Sequence, residues 1–169
     1  QFLYDKQYPL GNEIRAVFIR ATKWFMEDLP FGGTQIPQRF SRMEDARAAG
    51  LNESTNKETA HLDLLIELDP NNEGVDELAH IFEGEKAYIM AKWPVQSTAF
   101  GRTAMILAKD SGGFLRGCMF GGFYKVSTQQ KPGPKGTYFV PSMKTDGRTP
   151  DTLKRQIADR LVLATQATS

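Results

Sequence analysis

The strictest constraint on this chain is a strand-period run near its middle. From Ala60 to Asp69, Leu62, Leu64, Ile66 and Leu68 alternate with His61, Asp63, Leu65 and Glu67. A period of two places successive side chains on opposite faces, so the run reads as a sheet strand with one apolar face. Pro70, Asn71 and Asn72 close it.

The flanking segments repeat the pattern. Glu13 to Met26 reads as an earlier strand, in which Ile14, Ala16 and Phe18 alternate with Arg15, Val17 and Ile19. Residues 27–40 form a loop with Pro30, Gly32, Gly33 and Pro37. Ser41 and Glu44 have the spacing of a capping box, so a short helix is expected to start there and end at Gly50. Residues 52–59 are a polar connection. Residues 75–82 fit either a helical turn or a short strand. Lys86 to Val95 is a third strand, closed by Pro94.

Beyond it, Ser97 to Lys109 reads as a helix with Phe100, Ala104, Ile106 and Leu107 on a buried stripe, with a strand as the alternative reading of the same run. A fourth strand is expected from Phe114 to Gln129, bulged or bent at Gly117, Gly121 and Gly122. Gln129 to Gly136 reads as a loop and Thr137 to Lys144 as a fifth strand. Asp146-Gly147 reads as a turn. Thr149 or Asp151 then caps an amphipathic helix over about 150–164, with Leu153, Ile157, Leu161 and Val162 on its apolar side. The class expected is mainly β with flanking helices, in a single domain.

The 169 residues, 40% of them hydrophobic, suffice for one domain with a core. No apolar run approaches the roughly 20 residues that span a bilayer, so no membrane role is expected. Cys118 is the lone cysteine. It cannot staple a fold, and a buried, inert thiol in a reduced, cytoplasmic setting is the expectation.

The net charge of +1 conceals an asymmetry. Glu44 to Glu85 contains 12 acids and two bases, whereas Lys86 to Ser169 contains 13 bases and four acids. Such a split signals a basic binding face, or two blocks that neutralise each other across the folded surface.

Catalytic constellations are hard to assemble from these residues. His61 and His80 sit near Asp63 and Glu67 in sequence, but the spacing matches no familiar metal site. Glu85 and Lys86 are adjacent, so strand geometry would point them to opposite faces. The glycine pairs lack the lysine-serine ending and strand-to-helix context of a phosphate loop. No catalytic residue, metal or cofactor is expected.

Nucleic-acid binding has more to build on. Single strands are held by bases on aromatic rings and phosphates on Lys or Arg. This chain interleaves those types at Lys23-Trp24-Phe25, at Lys92-Trp93, at Phe120, Phe123, Tyr124 and Lys125, and at Lys135 with Tyr138 and Phe139. The loop to Gly136 adds Lys131 and Lys135 around Pro132 and Pro134. Any one ring can equally be core filling, and the loop can be a plain solvated connection.

The order strand, strand, strand, helix, strand, strand over Glu13 to Lys144 resembles the OB-type barrel of phage- and plasmid-borne single-stranded DNA-binding proteins. The resemblance implies a five-stranded barrel with its helix between strands three and four, and DNA replication or recombination as the setting. It implies single-stranded nucleic acid as partner, DNA before RNA, with a homo-oligomer possible. Trp24, Trp93, Tyr124 and Tyr138 would be stacking platforms. Lys23, Lys92, Lys125, Lys131 and Lys135 would meet phosphates. The alternative is a structural or assembly subunit that acts through protein contacts.

Overall fold

The computed structural model describes residues 2–4, 8–30, 32–52, 54–71 and 74–167. The first half contains β1 (Phe2–Tyr4), β2 (Tyr8–Gly11), β3 (Glu13–Glu27), β4 (Arg39–Phe40), α1 (Met43–Ala48) and β5 (Asn56–Glu67). Next come α2 (Val75–Leu78), β6 (Ile81–Glu83), β7 (Lys86–Gln96), α3 (Ser97–Arg102) and α4 (Ala104–Asp110). The chain ends with β8 (Gly122–Gly133), β9 (Gly136–Arg148) and α5 (Asp151–Ala167). The molecule is mainly β with a few helices. β1 and β2 form a small hairpin. The main sheet is antiparallel in the order β6-β7-β5-β3-β8-β9, with β4 paired to β3. It is open: among the described residues no ladder joins β7 to β9. Helix α3 lies against both strands and against β5.

The sheet is apolar on both faces. On the inner face, Ile14, Ala16, Phe18, Leu62, Leu64, Ile66, Ile89 and Tyr124 pack with Leu107 of α4 and Leu115. On the outer face, Val17, Ile19, Leu65, Tyr88 and Phe123 meet Leu153 and Ile157 of α5. Burying each of those two helix residues is worth about 1.5–3 kcal/mol, which holds α5 on the sheet. Leu161 is half-buried and Val162 is 55% exposed, so the helix's contact with the sheet thins toward its C-terminus.

The three long early strands lie where the alternation puts them, with longer ends. β5 starts at Asn56 rather than Ala60, because 56–59 complete a ladder with Trp24 to Glu27. β7 runs past Pro94 to Gln96. Pro94, Pro132 and Pro141 each lie where their strand has a single neighbour, so the missing N–H breaks no ladder on the far side. Residues 75–82 contain both elements considered for them, the turn α2 and the start of β6. Ser97 to Lys109 is helical, in two pieces. The Thr103 hydroxyl donates to the Ala99 carbonyl at 2.6 Å, where the backbone leaves helical geometry.

Several local expectations are corrected. The capping box at Ser41 does not form; α1 starts at Met43, and Glu44 pairs with Arg42 instead. Its end is as expected: Gly50, at φ 88°, donates to Arg47 while Leu51 donates to Ala46, a Schellman closure. The fourth strand starts at Gly122, not Phe114, because 111–120 fold into turns over the inner face. The glycines there serve close approach. A Cβ on Gly122 would stand 2.4 Å from the Phe114 ring, and one on Gly121 2.7 Å from the Leu115 carbonyl. The pairing also shifts register between Gly122 and Tyr124, so a bulge does sit at this end. Asp146 and Gly147 lie within β9. Thr149 is no cap, since its buried hydroxyl has no partner; α5 opens on Asp151, which pairs with Lys154 at 2.9 Å. Asn72, expected to help close β5, lies outside the described residues.

Candidate nucleic-acid interface

Cross-strand partners share a face, so the ladders assign each candidate residue to one side of the sheet. Adjacent candidates are split. Trp24 and Lys92 lie on the outer face, with Thr59 and Asp63 as partners, while Lys23 and Trp93 lie on the inner face. Trp93 is half-buried against the inner core. Lys23 pairs with Glu58 at 2.9 Å and lies over the rings of Phe25 and Phe100. Half-buried Trp24 carries the Arg39 guanidinium 5.3 Å from its ring.

Tyr124 is corrected as a platform. It is fully buried, edge-on to Phe18 and Phe114 at 5.8 and 5.6 Å, and its hydroxyl donates to Asp110 at 2.9 Å. Burial, reinforced by Asp110, raises its phenol well above the ordinary value. No face of this ring is open to a base.

The Gln129–Gly136 loop is corrected too. It is a two-stranded ribbon, with only Pro134 and Lys135 in the turn. β3 pairs with β8 only as far as Ser127, so beyond it β8 and β9 pair with each other alone. Lys125 faces Lys144 and Lys131 faces Tyr138, which puts these four on the outer face with Arg15. Tyr138 lies across Gly133, close enough that a Cβ there would stand 3.0 Å from the ring. Tyr138 is 46% and Phe139 67% exposed, on opposite faces of the ribbon. Val140 and Pro141 are buried, which anchors the ribbon just behind that pair. Lys131, Lys135 and Lys144 form no ion pair among the described residues, and the sequence from Ser127 to Thr145 contains no acid. Lys125 has Glu13 at 3.8 Å.

The acids of β5 are matched where they stand. Asp63 accepts from Arg20 Nε at 2.9 Å and lies 3.8 Å from Lys92 Nζ. Glu67 bonds Arg15 at 2.6 Å and has Lys86 at 3.5 Å. Arg15 also donates to Asp146 at 2.7 Å and lies 3.6 Å over the Phe123 ring, tying β3, β5, β8 and β9 together. Burial works against its charge, but the bonds to Glu67 and Asp146 outweigh it and raise its pKa. The acidic strand therefore presents no bare negative stripe at Asp63 and Glu67.

Arg20 and Arg160 escaped the sequence reading. Strand parity puts Arg20 on the face of Ile14. The ladder instead skips Ile19, and this bulge turns Arg20 outward beside Asp63. Arg160 donates to the His80 carbonyl from α5, a contact between segments 80 residues apart. With Arg20, Asp63, Lys92 and Met90, it lines a groove of about 540 Å³ between α5 and the outer face.

Among the described residues, no group of three or more His, Cys, Asp or Glu is placed to hold a metal, and no helix is long and apolar enough to cross a membrane. Cys118 is half-buried. No protein-family model, curated protein or solved structure matches the chain.

Proposed function

We propose that this protein binds single-stranded nucleic acid, DNA in preference to RNA, without catalysis. The observation that carries the reading is the β8–β9 ribbon. It combines Lys131 and Lys135, in a stretch from Ser127 to Thr145 that contains no acid, with two exposed rings, Tyr138 and Phe139. Phosphate neutralisation and base stacking need those two residue types at one place. Lys125, and the Lys92 and Trp24 region, extend the surface along the same outer face. The sheet is read here as an OB-type barrel. Its five long strands run β7-β5-β3-β8-β9, and α3, which lies between β7 and β8 in the chain, contacts β7 and β9 across the open side.

The test is a titration with oligo-dT at low salt, followed through Trp24 and Trp93 fluorescence. Quenching is expected, with an affinity that falls as salt rises. Oligo-rU should compete more weakly. Absence of binding at low salt would sink the reading.

A self-assembling subunit is the second reading, favoured by Val162 and Leu163, 55% and 64% exposed side by side on α5. Light scattering that shows a defined oligomer, without affinity for oligo-dT, would favour it.

A further inference from the structure

The groove beside α5 lies apart from the ribbon and is built differently. Its walls are apolar: Ile19 and Met90 come from the sheet, Ile157 and Leu161 from the helix. Its charged residues are Arg20, Lys92 and Arg160 against the single acid Asp63. Asp63 bonds Arg20 and lies within reach of Lys92, so two cations share one carboxylate and the rim remains positive. The side chains of Arg20 and Lys92 are 64% and 66% exposed, leaving both able to turn toward an anion.

An apolar slot with a cationic rim fits a flat, weakly polar group attached to phosphates. We propose that this groove takes one unstacked base of the bound strand, with Arg20, Lys92 and Arg160 on the flanking phosphates. The inference rests on the single-strand reading above and deepens it. The volume of about 540 Å³ falls in the range of roughly 300–1,000 Å³ typical of small-ligand sites. Met90, 37% exposed, offers a thioether, a group that contacts aromatic rings favourably. A base must leave its stack to enter, so the groove selects single strands over duplex. It also gives α5 a part in binding: without the helix the slot has only one wall.

The experiment pairs two proteins with two ligands. Ala164 lines the groove from the exposed C-terminal part of α5, so Ala164→Trp fills the slot without touching the core. Oligo-dT and an abasic strand of equal length are titrated against the wild type and this variant. The wild type should prefer oligo-dT, and Ala164→Trp should lose at least about tenfold for oligo-dT, the scale of one stacked base. Its affinity for the abasic strand should be unchanged. Met90→Trp, which fills the slot from the sheet side without adding charge, should show the same selective loss, and thermal melting checks that both variants fold. Equal losses for both ligands, or none, overturn the groove. If Ala164→Trp binds normally while Lys131→Glu/Lys135→Glu does not, the ribbon reading stands and the groove falls. If the wild type ignores oligo-dT, both fall together.

Discussion

The charged residues of the outer face of β5 and those of the β8–β9 ribbon behave in opposite ways. On β5, Asp63 and Glu67 are each flanked by two cations, and Arg15 spends its guanidinium on Glu67, Asp146 and the Phe123 ring. On the ribbon, Lys131 and Lys135 lie in an acid-free stretch from Ser127 to Thr145; at its base Lys144 has Asp146 two residues on, but that acid is bonded to Arg15. The first arrangement joins strands and the second is open to a polyanion. Lysine on an edge ribbon also discourages pairing with another chain, so solubility alone can favour such a composition. The two exposed rings are the further feature on which the proposed ligand rests.

The comparison breaks most sharply at Arg15. Arg15→Ala strips charged hydrogen bonds from Glu67 and Asp146 and should cost about 2–3 kcal/mol of stability. Denaturant unfolding measures it, and oligo-dT affinity of the folded fraction should be unchanged. The ribbon should respond in reverse. Lys131→Ala/Lys135→Ala/Lys144→Ala should leave unfolding within about 0.5 kcal/mol of wild type, as surface changes usually do. Its oligo-dT affinity should fall, and the slope of log affinity against log salt should shrink by about 2, near 0.7 for each phosphate no longer neutralised. An unchanged slope would place the strand elsewhere.

A smaller effect separates the two buried tyrosines. Tyr124→Phe abandons the bond to Asp110 and should cost about 1 kcal/mol. Tyr88→Phe removes a buried hydroxyl that has no partner and should cost less, or stabilise. Burial, and then Glu67 and Glu83, raise the Tyr88 phenol to about 12, from an ordinary 10.0. A phenol that ionises less readily folded than unfolded stabilises the fold fully below its unfolded pKa. That stability is lost as pH climbs toward the folded pKa. Melting temperature should therefore fall between about pH 10 and 12, and less steeply in Tyr124→Phe.

The strands were legible because burial on a sheet imposes a period of two that survives in the letters, as in Leu62 to Leu68. The final helix was legible from Leu153 and Ile157, one turn apart. Candidate rings were less so. Tyr124 and Tyr138 both follow the same aromatic-and-lysine pattern, yet one is core and the other 46% exposed. Composition cannot tell them apart, because an aromatic ring suits a core and a stacking surface alike. Lys23 and Lys92 each precede a tryptophan, but alternation sends lysine and ring to opposite faces, so neither dipeptide acts as one unit.

What the sequence determined by itself is local: the alternating strands β3, β5 and β7, the helical stretch after β7, the final helix, and the gathering of basic residues after Lys86. These follow from short-range periodicity and from composition. What the tertiary structure decided is pairing. It matched the acids of β5 with Arg15, Arg20, Lys86 and Lys92, turned Arg20 outward through a bulge at Ile19, made the glycine-proline stretch a ribbon, and laid α5 beside a groove. Each of these depends on contacts between residues far apart in the chain, and a one-residue shift in a ladder reverses every face beyond it.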